Sequence, residues 1–183
     1  MKSKCRGASL IEILGVCTIM AVVASLSYPT LAGVIADQRM KTTVSQLRLI
    51  IKSARQLAVF EGTTVTLCPS ADQISCSKEW SDPLIVFTDP NHNEQVDNDE
   101  ILERQLELKP GEANLRWSSL QPYLQFNREG FTRATNGSLR YCPQDQTKTN
   151  SYRKLVISRS GRVRISQPER GLSNDRLNQD FGC

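Results

Sequence analysis

The sequence predicts an α+β fold: a long N-terminal α-helix, half transmembrane and half amphipathic, packed on a C-terminal antiparallel β-sheet or sandwich head stapled by disulfides. Three observations predict it. Ile13 to Ala36 is a run of 24 residues without a charge. The stretch that follows places apolar residues at helical spacing. Beyond Gly62 the chain turns to short runs rich in Val, Ile, Leu and aromatics, separated by Gly, Pro, Asn and Asp. That is the pattern of antiparallel strands joined by turns. At 183 residues the chain suits one globular domain with an appended element, and a domain of that size buries a real core.

At a rise of about 1.5 Å per residue, the uncharged run is long enough to span a bilayer with some tilt. It exceeds the roughly 7 to 15 residues of a secretory apolar region. Lys2, Lys4 and Arg6 precede it, so the positive-inside rule keeps the N-terminus cytoplasmic and sends the rest across. Hydropathy alone fits a plain signal anchor equally well, or a signal peptide cut near Ser27. Glu12 asks for more, because a charge within a membrane costs roughly 2.5 to 3.5 kcal/mol on insertion scales. A cut after Gly7 would discard only the charged leader and leave Ala8 with a free α-amine, whose ordinary pKa is about 7.7 to 8.0. Glu12 lies one helical turn further along, placed to pair with the amine of a neighbouring subunit when such helices bundle. Within one chain, its alternative is to snorkel to the headgroups.

In "DQRMKTTVSQLRLIIKSARQLAVFEG" the residues Met40, Val44, Leu47, Ile51, Ala54 and Ala58 recur at spacings of four and three, one stripe of a helix. Arg39, Lys41, Arg48, Lys52 and Arg55 decorate the other faces. One helix is expected from about Ala8 to Glu61, bent near Pro29 and stopped by Gly62. Strands are expected over residues 63–68, 83–89, 100–108, 113–119, 122–127, 138–142, 153–158 and 162–166. The organisation is thus a leader at 1–7, an assembly and membrane helix at 8–36, an amphipathic helix at 37–62 and a β-rich head at 63–183. There is no internal repeat and no low-complexity segment.

With Cys5 in the leader and Cys17 in the apolar run, Cys68, Cys76, Cys142 and Cys183 remain for the head. An even set on the translocated side indicates two bridges in an oxidising compartment. Four cysteines allow three connectivities. Cys68–Cys76, closing a short loop, with Cys142–Cys183, pinning the tail, is preferred. A zinc site is the alternative, but there is no CxxC and His92 is the only histidine.

Charge divides unevenly. Residues 68–115 carry eleven acidic and three basic side chains, a net of −8, whereas residues 116–183 carry five acidic and twelve basic, a net of +7. Two solvated faces of opposite sign are the bland explanation. The sharper one is that the C-terminal half meets a polyanion through "YRKLVISRSGRVRIS". There Lys154, Arg159, Arg162 and Arg164 gather around a turn at Gly161, and the arginine fork suits phosphate. In the acidic stretch, Asp89, Asn91, Asn93, Asp97 and Glu100 fall at an EF-like calcium spacing. Glu94 stands where that loop wants glycine, and an Asx-rich hairpin loop explains the same composition. His92 has no nucleophile motif beside it and no phosphate cradle is present. The expectation is a non-enzymatic protein with no cofactor and no metal.

"RGASLIEILGVCTIMAVVASLSYPTLAGVIADQR" resembles the class III signal of type IV pilins and type II secretion pseudopilins. The resemblance implies cleavage after Gly7 by a prepilin peptidase, N-methylation of Ala8, an assembly role for Glu12 and a helix kink at Pro29. Ala8 departs from the family's usual phenylalanine. With "LCPSAD…C", "WSDPLIVFTDPNHN" and "SGRVR", the chain resembles the FimT/FimU/GspH branch of minor pilins and pseudopilins. This implies other pilins or pseudopilins as partners and a bacterial inner-membrane location with a periplasmic head. Some FimT-type members bind DNA through a C-terminal GRxR motif, matched here by Gly161, Arg162, Val163 and Arg164, with Arg159 and Lys154 beside it. DNA is therefore a further expected partner. A GspH-like pseudopilin without DNA binding is the alternative.

Mass spectrometry of the native protein is expected to show a chain starting at Ala8 with one added methyl group. A start near Tyr28, or a retained Met1, would contradict the prepilin reading.

Overall fold

The computed structural model describes residues 9–107, 113–133, 137–143, 151–169 and 173–183. For residues 26–32, 104, 113, 174, 175 and 178 it describes the backbone only. The chain divides into two compact units, Met1–Arg39 and Met40–Cys183. Helix α1 (Leu10–Glu61) belongs to both, and it runs through Pro29 without interruption.

Over residues 10–25 of the first unit the side chains of α1 are exposed and, apart from Glu12, Thr18 and Ser25, apolar, Leu10, Ile11, Ile19 and Met20 among them. Thr18 and Ser25 return their hydroxyls to helix carbonyls one turn back. This leaves no bare side-chain donor on that surface from either residue. Among the described residues, no helix is long and apolar enough to cross a membrane. The expected membrane span over 8–36 takes in residues 26–32, whose side chains lie outside the described residues.

The second unit is built around the other half of α1. Met40, Val44, Leu47, Ile51, Ala54 and Ala58, the expected stripe, are all buried, joined by Ile50 and Thr43. The helix stops where Gly62 takes a left-handed φ of 64°, a conformation that glycine adopts without penalty.

Eight strands follow: β1 (Val65–Pro69), β2 (Leu84–Thr88), β3 (Leu102–Leu106), β4 (Ala113–Ser118), β5 (Leu124–Phe126), β6 (Gly137–Pro143), β7 (Arg153–Ile157) and β8 (Val163–Ser166). Each lies inside or within a residue of its expected range. They form two four-stranded antiparallel sheets, ordered β3-β2-β1-β5 and β4-β6-β7-β8. Both inner faces share one core with α1: Val65, Leu67, Val86 and Phe126 from the first sheet, and Leu115, Leu139, Leu155 and Ile157 from the second. Full burial of such a side chain is worth about 1.5 to 3 kcal/mol.

Strands β1 and β2 are buried on both faces, because loops cover the outer side of the first sheet. There Cys68, Ile85 and Phe87 pack with Cys76, Val96 and Tyr123. The bond Cys68–Cys76, with Cα atoms 5.6 Å apart, ties the first of these loops to β1. Asp72 organises that loop by accepting from the amides of Ser75 and Ile74 and from the hydroxyl of Ser70. These bonds hold its carboxyl well below the usual carboxylate range.

Helix α2 (Asn174–Phe181) is the element that sequence reading missed. Among its described side chains, Leu177 and Phe181 are buried, packed with Tyr152. The bond Cys142–Cys183, Cα atoms 5.7 Å apart, fastens it to β6. The preferred pairing of the four head cysteines is the one the structure contains.

Candidate nucleic-acid interface

Strands β7 and β8 form a hairpin whose register sets Ile157 against Val163, Leu155 against Ile165 and Val156 against Arg164. Leu155 and Ile157 point into the core, so the alternation of a strand turns Lys154, Val156 and Arg164 to the outer face. The turn is closed by hydrogen bonds from the Ser158 amide to the Arg162 carbonyl (3.0 Å) and from the Gly161 amide to the Ser158 carbonyl (2.8 Å). Arg159, Arg162 and Arg164 are exposed. Among the described residues, their guanidinium groups have no hydrogen-bonding or ionic partner. Lys154 is half-buried, in a shallow depression lined also by Arg176, Asp180 and Glu169.

Gly161 has two requirements that only glycine meets. Its φ is +73°, and a Cβ there would collide with the Gly130 carbonyl and lie 2.8 Å from Arg55 Cδ. The hairpin turn is therefore wedged against a second turn, residues 127–131, and against α1. Arg55 of α1 donates its Nε–H to the Gly130 carbonyl at 2.9 Å. The Thr132 amide donates to the Arg159 carbonyl at 2.8 Å. One helix residue thus fixes two turns, and the basic hairpin is held rigidly by them.

Sequence reading placed the cations on the hairpin alone and missed what the fold brings beside it. Arg128 comes from the second turn and Arg133 from the segment just after it. Arg128 pairs with Glu129 at 2.8 Å, and this carboxylate raises its pKa. Arg133 approaches His92 Nε2. On the outer face of the second sheet, Arg116, Arg140 and Lys154 stand opposite one another across β4, β6 and β7. Cations in direct cross-strand register repel, so the row favours an anion. Arg140 is engaged below it, with Nη1 near the Gly182 carbonyl at 3.5 Å and a buried Nε that has no partner among the described residues. Only strand register could have revealed this row.

The acidic stretch uses its side chains internally. Asp89 is fully buried and accepts from Thr66 Oγ1 (2.6 Å), Gln125 Nε2 (3.0 Å) and the Asn93 amide (3.1 Å). Asp97 accepts from the amide groups of Asn91 and Asn93, and Glu100 accepts from the Asp97 amide. Burial, with the nearby carboxylates Asp89, Asp97 and Asp99, raises the Glu100 pKa. Among the described residues, no group of three or more His, Cys, Asp or Glu side chains is arranged to hold a metal ion.

At the other end of the chain, Glu12 is exposed in the first turn of α1. A carboxylate there is favourably placed for the helix dipole. Gly7 and Ala8, the expected cleavage and methylation positions, lie outside the described residues, as does the side chain of Pro29.

Residues 43–161 match the family described as "Type II transport protein GspH". Two solved structures are similar in fold. The type IV minor pilin FimU of Pseudomonas aeruginosa has a TM-score of 0.56 at 18% identity, covering 71% of this chain and 92% of that one. The minor pseudopilin EpsH from the type 2 secretion system of Vibrio cholerae has a TM-score of 0.50 at 16% identity, covering 71% of this chain and 98% of that one. No curated protein matches the chain in sequence.

Proposed function

The chain belongs to the GspH family, among the minor pilins and pseudopilins, and on that premise we propose that it is a non-enzymatic subunit of a type IV pilus that primes or joins assembly at or near the tip. The apolar N-terminal helix carries the reading. An exposed apolar surface on residues 10–25 demands a cover, and a bundle of like helices in and above the inner membrane supplies one. Glu12 sets the register by meeting the amine of a neighbour's processed N-terminus, whose leader a prepilin peptidase has removed after Gly7. Ala8 is then the methylated residue, and Pro29 gives the helix its bend. The alternative is a minor pseudopilin of a type II secretion system, which the family description favours. The identity of the co-purifying subunits separates the two.

Glu12→Ala is expected to be processed normally but to lose most of its co-purification with partner pilins from detergent-solubilised membranes. Wild-type recovery of partners by the variant would contradict the pairing.

DNA binding is a second reading, supported by the three exposed arginines of the β7–β8 hairpin, which have no partner among the described residues. Contacts of this kind read phosphate and not sequence. The log–log dependence of affinity on salt should have a slope near −0.9 per phosphate neutralised. Arg159, Arg162, Arg164 and Lys154 together imply about −3 to −4. Arg162→Gln with Arg164→Gln is expected to flatten that slope by about two units while leaving the fold intact, since both side chains are solvent-exposed. An unchanged slope, or no wild-type binding at roughly 50 mM salt, would leave the assembly role alone.

A further inference from the structure

Phe131 occupies the second turn, beside the hairpin, and is about half exposed (49%). A single exposed aromatic is ordinary on a protein surface. What sets this one apart is how firmly its turn is held and what surrounds it. The Phe131 amide donates to Asn127 Oδ1 at 2.8 Å, and its carbonyl accepts from the Asn127 amide at 2.9 Å. The Gly130 amide donates to the Asn127 carbonyl at 2.8 Å. Gly130 has a φ of +78°, its carbonyl is taken by Arg55, and a Cβ there would lie 3.1 Å from Val59. The next residue, Thr132, is buried and bonded to the Arg159 carbonyl. The ring therefore stands on a rigid turn, one residue from the backbone of the basic hairpin.

The three segments that meet at this turn carry basic side chains in excess, although Arg133 is turned to His92 of the acidic loop. Arg55, Arg128, Arg133, Arg159 and Arg162 belong to the three segments that meet here. The one carboxylate on the turn, Glu129, is engaged by Arg128. Cations that follow a phosphate backbone beside an exposed aromatic face are the working parts of a single-strand binder: phosphates are neutralised and a base stacks on the ring. A duplex hides its base faces and offers such a ring nothing.

We propose that Phe131 is a base-stacking platform, and that the surface joining residues 127–133, the 158–162 turn and Arg55 binds single-stranded DNA in preference to duplex. This rests on the reading of the hairpin as a phosphate-binding element and names its substrate class. Phe131 supplies affinity per base without sequence preference, because every base has a π-face.

The test uses the full chain in detergent micelles and fluorescence anisotropy. Three labelled probes of about 12 nucleotides, within the span of known single-strand sites, are compared: oligo(dT), an abasic strand of the same length, and a duplex. The wild type is expected to bind oligo(dT) at least about fivefold more tightly than the abasic strand. Phe131→Ala should abolish that difference while leaving abasic binding unchanged, and Phe131→Trp should preserve it. Equal wild-type affinity for oligo(dT) and the abasic strand overturns the platform and leaves the phosphate reading standing. Failure of all three probes to bind, or full binding by the Arg162→Gln, Arg164→Gln variant, overturns the phosphate reading itself. Equal loss of both single strands in Phe131→Ala, with no rescue by Phe131→Trp, also overturns the platform, since it signals a damaged turn.

Discussion

The stripe from Met40 to Ala58 is the constraint on which the head depends. Each four-stranded sheet has an inner face of branched aliphatic residues, and neither sheet covers the other's inner face alone. The helix contributes the side chains that complete both. Met40, Leu47 and Ile51 fill volume, and Ala54 and Ala58 are buried with them in the common core. All are essentially removed from solvent. Their burial has to offset the conformational entropy of ordering two sheets and several long loops. The disulfides act where that core does not reach, one under the loops outside the first sheet and the other at α2.

The same helix links the core to the surface proposed to bind nucleic acid. Arg55 sits one residue from the buried Ala54, yet its guanidinium reaches out to the Gly130 carbonyl. Gly161 is excluded from carrying a side chain by that same carbonyl and by Arg55. The position of the basic hairpin is thereby set by the core helix, through a second turn, and not by the hairpin's own hydrogen bonds alone. Preorganisation of this kind reduces the ordering cost of binding. It matters most for a small patch, which has few contacts to offset that cost.

Much of this was legible in the residues. The 3.6-residue period of Met40, Val44, Leu47, Ile51, Ala54 and Ala58 marks the buried face directly. The strands announce themselves by β-branched runs between turn residues. Strand order was not legible, because β1 finds β5 across about 55 residues of sequence that carry no local mark of the pairing. The pairing of Arg116, Arg140 and Lys154 was hidden for the same reason. Helix α2 was missed because "NDRLNQDF" shows only two apolar positions, and its place comes from Tyr152 and the Cys142–Cys183 bond. Asp89 and Asp97 fall at a calcium-like spacing in a stretch whose composition also suits an Asx-rich hairpin loop; their partners were not legible, because Thr66 and Gln125 come from distant strands to take the first, while the amides of Asn91 and Asn93 take the second.

Native-state hydrogen exchange on the full chain tests the central claim most directly. If the α1 stripe completes both sheets, amides of residues 44–58 should exchange only through global unfolding, with the same free energy as those of β1 and β7. Exchange of 44–58 through a local opening that leaves β1 and β7 protected would contradict it, and would mean that the sheets hold together without the helix.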